Sequence, residues 1–123
     1  MEIKDLIGSW NLLKHGIERP DGTFQSTSDY LKGQLIYSAD GSMSVFILKK
    51  AKPESFADIV VYSGRYTLET DRILHHIELS PDPARRGTTE ARFFRLKNAV
   101  LQLTTIPTDS GRFLIEWGDP APN

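Results

Sequence analysis

The sequence predicts an all-β chain closed into an eight-stranded antiparallel up-and-down barrel, one domain over residues 1–123. Three observations carry this. Apolar residues alternate over short segments throughout, the period of a half-buried strand. Turn chemistry recurs about every dozen residues, as at Arg19-Pro20-Asp21-Gly22 and Ala39-Asp40-Gly41-Ser42. Gly8-Ser9-Trp10 follows the short apolar turn Asp5-Leu6-Ile7, an arrangement in which Trp10 plugs one end of a barrel.

The strands follow in order at about 10–18, 32–38, 43–48, 60–69, 72–80, 90–96, 100–105 and 112–117. Asp40-Gly41 favours a two-residue primed hairpin turn. Pro53-Glu54-Ser55-Phe56-Ala57 predicts a short helix near 53–58 with proline at its start, a flap beside one mouth. Residues 81–88 read as a loop, and Pro120-Ala121-Pro122 as a frayed tail. Closing the sheet removes exposed edges. A barrel of eight strands is just wide enough for side chains or one small ligand.

Composition excludes several functions. The 123 residues suit a single core. There is no cysteine, so disulfides, thiolate metal sites and cysteine nucleophiles are ruled out. Fifteen basic and sixteen acidic residues leave a net charge of −1, no footprint for nucleic acid or an anionic membrane. Neither a secretory signal nor a membrane-length apolar run is visible. The expectation is a cytoplasmic protein, monomer or homodimer, with no cofactor.

Hairpin register gives the inward side chains, because directly paired residues share a face. A turn at Thr70-Asp71 sets Leu68 opposite Ile73, Tyr66 opposite His75, Gly64 opposite Ile77 and Tyr62 opposite Leu79. That face is apolar apart from the tyrosines and His75, so it points inward. Arg65, His76 and Glu78 fall on the outer face, where they could form a charge cluster. A turn at Lys97-Asn98 sets Arg92, Phe94 and Leu96 inward with Leu101 and Leu103. Trp10 inward brings Leu12 and Lys14 with it. In the second hairpin, Ile36/Val45 and Leu35/Phe46 are both good pairs, which leaves the facing of Tyr37 open.

The predicted ligand-binding residues are therefore Tyr62, Tyr66, His75 and Arg92, against walls that include Phe94 and Trp10. An arginine inside an apolar barrel suits an amphipathic molecule with an acid or enol head group. Two tyrosines and a histidine could orient that group or move a proton. Equally, His75 could be a core histidine satisfied by the Tyr66 hydroxyl, and Arg92 could snorkel to water. His75 and His76 point to opposite faces, so no metal site is expected. No catalytic residue set stands out.

The stretches Leu6-Ile7-Gly8-Ser9-Trp10, Gly33-x-Leu35-Ile36-Tyr37-Ser38-x-Asp40-Gly41-x-Met43-Ser44, Tyr62-Ser63-Gly64-Arg65-Tyr66 and His75-His76-Ile77-Glu78 resemble the small lipocalin-like domain proteins of bacteria and fungi, over roughly residues 5–117. The resemblance implies a calycin-type barrel and a role in binding or modifying a small molecule. Proteins with related barrels include passive binders and enzymes that steer cyclisation or isomerisation. Such proteins often place a basic residue after the C-terminal tryptophan, packed on the entry tryptophan. Here Gly118 follows Trp117, so that support would have to come from Arg112 or be absent. Three functions are carried forward: binding of a small apolar or amphipathic molecule, isomerase or cyclase action by proton transfer, and a filled-core interaction module.

Overall fold

The computed structural model describes residues 1–27 and 32–118. The expected tail at 120–122 lies outside them. Nine strands form: β1 (Gly8–Glu18), β2 (Phe24–Ser26), β3 (Lys32–Tyr37), β4 (Ser42–Leu48), β5 (Ile59–Leu68), β6 (Arg72–Leu79), β7 (Thr89–Lys97), β8 (Val100–Thr104) and β9 (Arg112–Gly118). Strands β1 and β3 to β9 pair antiparallel in sequence order, and β9 returns to β1, which closes an eight-stranded barrel. The ninth, β2, pairs with the last residues of β1, Gly16 to Glu18. It is three residues long and exposed throughout, so it leaves no alternation in the sequence. The flap expected as a helix is a single 3-10 turn, Phe56–Asp58, whose Ser55 hydroxyl accepts from the Ala57 amide. None of the described helices is long and apolar enough to cross a membrane.

One turn residue decides the facing of the second hairpin. The Ser38 amide bonds the Ser42 carbonyl and the Gly41 amide bonds the Ser38 carbonyl, with Gly41 at φ +90°. The loop is therefore three residues ending in a glycine bulge, rather than the expected two. The register shifts by one, pairing Leu35 with Val45 and Tyr37 with Met43, all buried. Phe46 is left on the outside opposite Gln34.

Two bulges correct the expected facing elsewhere. In β1, Leu12 pairs with Trp117 but Lys14 pairs with Glu116, so Leu13 is the extra residue. The alternation inverts there. Lys14 turns outward near Glu116 and over the Phe24 ring, and His15 takes the inner face. On β5 and β6, the expected pairs Leu68–Ile73, Tyr66–His75 and Gly64–Ile77 form. Ser63 then pairs with Leu79, which leaves Glu78 as the extra residue. Leu79 is 69% exposed and is no part of the inner wall. The β6 backbone crosses Gly64 so closely that an added Cβ would lie 1.9 Å from the His76 carbonyl oxygen.

The closed end is built as the Gly-x-Trp motif suggests, with a different support. Gly8 has φ +139°, a conformation that only glycine adopts readily. The Trp10 indole N–H donates to the Leu6 carbonyl at 2.7 Å, and both side chains are buried. Arg112 is at the other end of the barrel, in an ion pair with Glu18 at 2.9 Å. The N-terminal turn, rather than Arg112, holds Trp10, and Gly118 lies against Leu13.

Candidate functional site

A cavity of about 290 Å³ lies inside the barrel, and Trp10 does not line it. Its apolar wall is formed by Leu35, Val45, Ile47, Val60, Leu103 and Ile115, with Trp117. These come from β3, β4, β5, β8 and β9, each presenting alternate residues inward. Its polar lining is Tyr62 and His75, with His15, Lys49, Arg85, Glu90, Arg92 and Thr105.

The structure brings three of the residues selected from sequence onto this cavity: Tyr62, His75 and Arg92. Tyr66, Phe94 and Trp10 pack into the core away from it. Tyr66 packs against Tyr37 with the rings tilted at 58° and centroids 4.7 Å apart, and donates to the Ser38 carbonyl. Phe94 pairs with Leu103 across β7 and β8.

His75 is held from both sides. The Tyr37 hydroxyl is 2.6 Å from Nε2 and the Tyr62 hydroxyl 2.8 Å from Nδ1. Tyr66, expected to satisfy the ring, bonds elsewhere. The sequence leaves the facing of Tyr37 open because it depends on the three-residue turn, and the structure places it inside. His75 is 3% exposed, and burial, with the nearby Arg92 and His76 charges, pushes its pKa down to about 3. The ring is therefore neutral at ordinary pH. Burial raises both tyrosine pKa values, and the Glu90 carboxylate raises that of Tyr62 further.

Three cations surround the mouth. Arg92 bonds the Ala91 carbonyl at 2.8 Å and the Glu90 carboxylate at 3.2 Å. Arg85, from the loop after β6, lies 3.6 Å from the other Glu90 oxygen and over the Tyr62 ring. Lys49 follows the end of β4. Glu90 thus bridges Arg85 and Arg92. His15 bonds Thr27 at 2.6 Å, and burial followed by Lys49 lowers its pKa. It was missed in the sequence because the Leu13 bulge reverses the facing of β1. The outer cluster expected of Arg65, His76 and Glu78 does not form: Arg65 donates to the Asp40 carbonyl, and His76 bonds Thr67 and Thr89.

Comparison with known proteins agrees with this architecture. A 4'-hydroxy-3'-methoxypropiophenone carrier protein of Aspergillus oryzae is 34% identical over a 55-residue alignment, which takes in 38% of this chain and 50% of that protein. The chain thus spans about half the length of that relative. Among solved structures, an uncharacterized protein from Bacteroides eggerthii superposes with a TM-score of 0.53 at 16% identity, covering 91% of this chain and 98% of the other. A mutant of the fluorescent protein UnaG superposes with a TM-score of 0.52 at 13% identity, covering 98% and 100%. At such identities these two show a shared fold. The family pattern of the lipocalin-like domain matches residues 49–112, just over half of the sequence and the segment that carries Tyr62, His75, Arg85, Glu90 and Arg92. The chain belongs to the lipocalin-like domain family.

Proposed function

We propose that the protein binds a small amphipathic molecule, about one substituted ring in size, inside the barrel with an oxygen-bearing head group toward Arg92 and Arg85. The carrying observation is the apolar cavity of about 290 Å³ opening beneath three cations and one carboxylate. A cavity of about 150 Å³ takes up benzene, and small-molecule sites begin near 300 Å³. The space therefore suits a ring with a short substituent rather than a long chain. An acid, enol or ketone oxygen would meet charge-assisted donors at the mouth. The carrier protein of A. oryzae supports this class, since its name specifies an aryl ketone.

The geometry favours binding over turnover. Both ring nitrogens of His75 are engaged, and protonating it would place a charge in the core. It is a poor general base near neutral pH. The open cavity also argues against an interior that serves only as packing.

Native mass spectrometry of freshly purified protein, followed by calorimetric titration with propiophenone and with phenylpropanoate, tests the reading. A co-purified small molecule, or saturable uptake of either probe, is expected. A ligand-free protein that takes up neither probe at millimolar concentration contradicts it.

A further inference from the structure

We propose that Tyr62 meets the bound molecule as a hydrogen-bond donor, its direction fixed by a one-way chain from Tyr37 through His75, so that the site selects ligands carrying an acceptor oxygen. This rests on the ligand reading of the cavity.

The direction follows from counting hydrogens. The Tyr37 hydroxyl is buried, and among the described residues its one hydrogen-bond partner is Nε2 of His75. A buried hydroxyl hydrogen needs an acceptor, and leaving it without one is costly. A neutral imidazole offers one donor and one acceptor nitrogen. Tyr37 therefore donates to Nε2, and the ring proton sits on Nδ1. Nδ1 in turn donates to the Tyr62 oxygen at 2.8 Å. The Tyr62 hydrogen cannot return to a nitrogen that already carries one. It turns away from the ring, toward the cavity that Tyr62 lines, where the Glu90 carboxylate is the protein acceptor beside it and a ligand oxygen competes for the same hydrogen. The reverse chain would leave the Tyr37 hydrogen buried and unaccepted.

A second, independent observation points the same way. Trp117 also lines the cavity, and its indole N–H is buried with no acceptor among the described residues. With Arg85 and Arg92, the polar lining is rich in donors, and Glu90 is its one carboxylate. Such a lining discriminates by what the ligand can accept.

The first test needs no ligand and no variant. Nitrogen NMR of the histidine rings in the wild-type protein should find the His75 proton on Nδ1; a proton on Nε2 overturns the chain. The second compares propiophenone with propylbenzene, which has the same skeleton without the oxygen. The wild type should favour the ketone about threefold to tenfold, the range of one net hydrogen bond. Tyr62→Phe should lose part of that preference, the remainder coming from the other donors of the lining, while still taking up propylbenzene, whose uptake shows that the barrel is intact. An unchanged preference in Tyr62→Phe overturns the proposal. Uptake of neither probe by the wild type overturns the cavity reading and the ligand half of this proposal with it; the ring-proton result tells that failure apart from failure of the chain.

Discussion

The Tyr37 hydroxyl lies 2.6 Å from Nε2 of His75, joining β3 to β6 through the barrel interior. With Tyr62 on the other nitrogen, this contact makes a buried histidine compatible with an apolar core. Burial, with the Arg92 and His76 charges, keeps the ring neutral, and the first consequence below follows from that.

Stability should fall as the solution is acidified. Histidine in the unfolded chain takes up its proton near pH 6.5, whereas folded His75 resists to about 3. Below about pH 6.5 the unfolded state alone gains the proton, so stability drops by about 1.4 kcal/mol per pH unit until the folded ring protonates; above it His75 has no effect. Urea unfolding at about pH 7 and about pH 5 should show the wild type losing roughly 2 kcal/mol more than His75→Gln. Equal losses would contradict the neutral, buried ring.

Two tyrosine-to-phenylalanine changes should differ in cost. Tyr37→Phe leaves Nε2 of His75 buried without a partner, worth about 1–3 kcal/mol. Tyr66→Phe removes a bond to the Ser38 carbonyl, which still accepts from the Gly41 amide, so about 1 kcal/mol or less is expected. Chemical denaturation of the pair checks the order, and a larger loss for Tyr66→Phe would reverse the argument.

Gly64→Ala should be among the most damaging single substitutions. Its Cβ would meet backbone at 1.9 Å, which cannot rotate away, so about 3 kcal/mol or more is expected. Gly87→Ala is the comparison. It has φ +77° but nothing within 4 Å, so only the backbone strain of about 1–2 kcal/mol applies. Thermal unfolding should separate the two; similar midpoints would mean that β6 can move away from Gly64.

The mouth cations should matter more for acids than for ketones. Arg92→Gln should weaken phenylpropanoate binding about fivefold or more, after allowance for its partly exposed side chain, and propiophenone binding less. Added salt should weaken the acid alone. Calorimetry at two salt concentrations measures both, and equal effects on the two probes would remove Arg92 from head-group recognition.

The barrel was legible because it depends on repeated features: alternation, turn residues and the Gly8-Ser9-Trp10 end. The site was legible only in part because it depends on single-residue offsets. One extra residue in the turn at Gly41 placed Tyr37 inside, and one at Leu13 exchanged Lys14 for His15. One at Glu78 put Leu79 outside. Alternation carries no mark of such an insertion, yet each reverses a face. The bonds that hold His75 were equally hidden, because Tyr37 and Tyr62 are 38 and 13 residues from it in sequence.

Whether the barrel interior is a ligand site is tested most directly by NMR shift mapping with propiophenone. Shifts should concentrate on the methyl groups of Leu35, Val45, Val60, Leu103 and Ile115 and on the ring of Trp117, and should saturate. No shifts, or shifts confined to the outer groove between Phe46 and Leu79, would contradict the account.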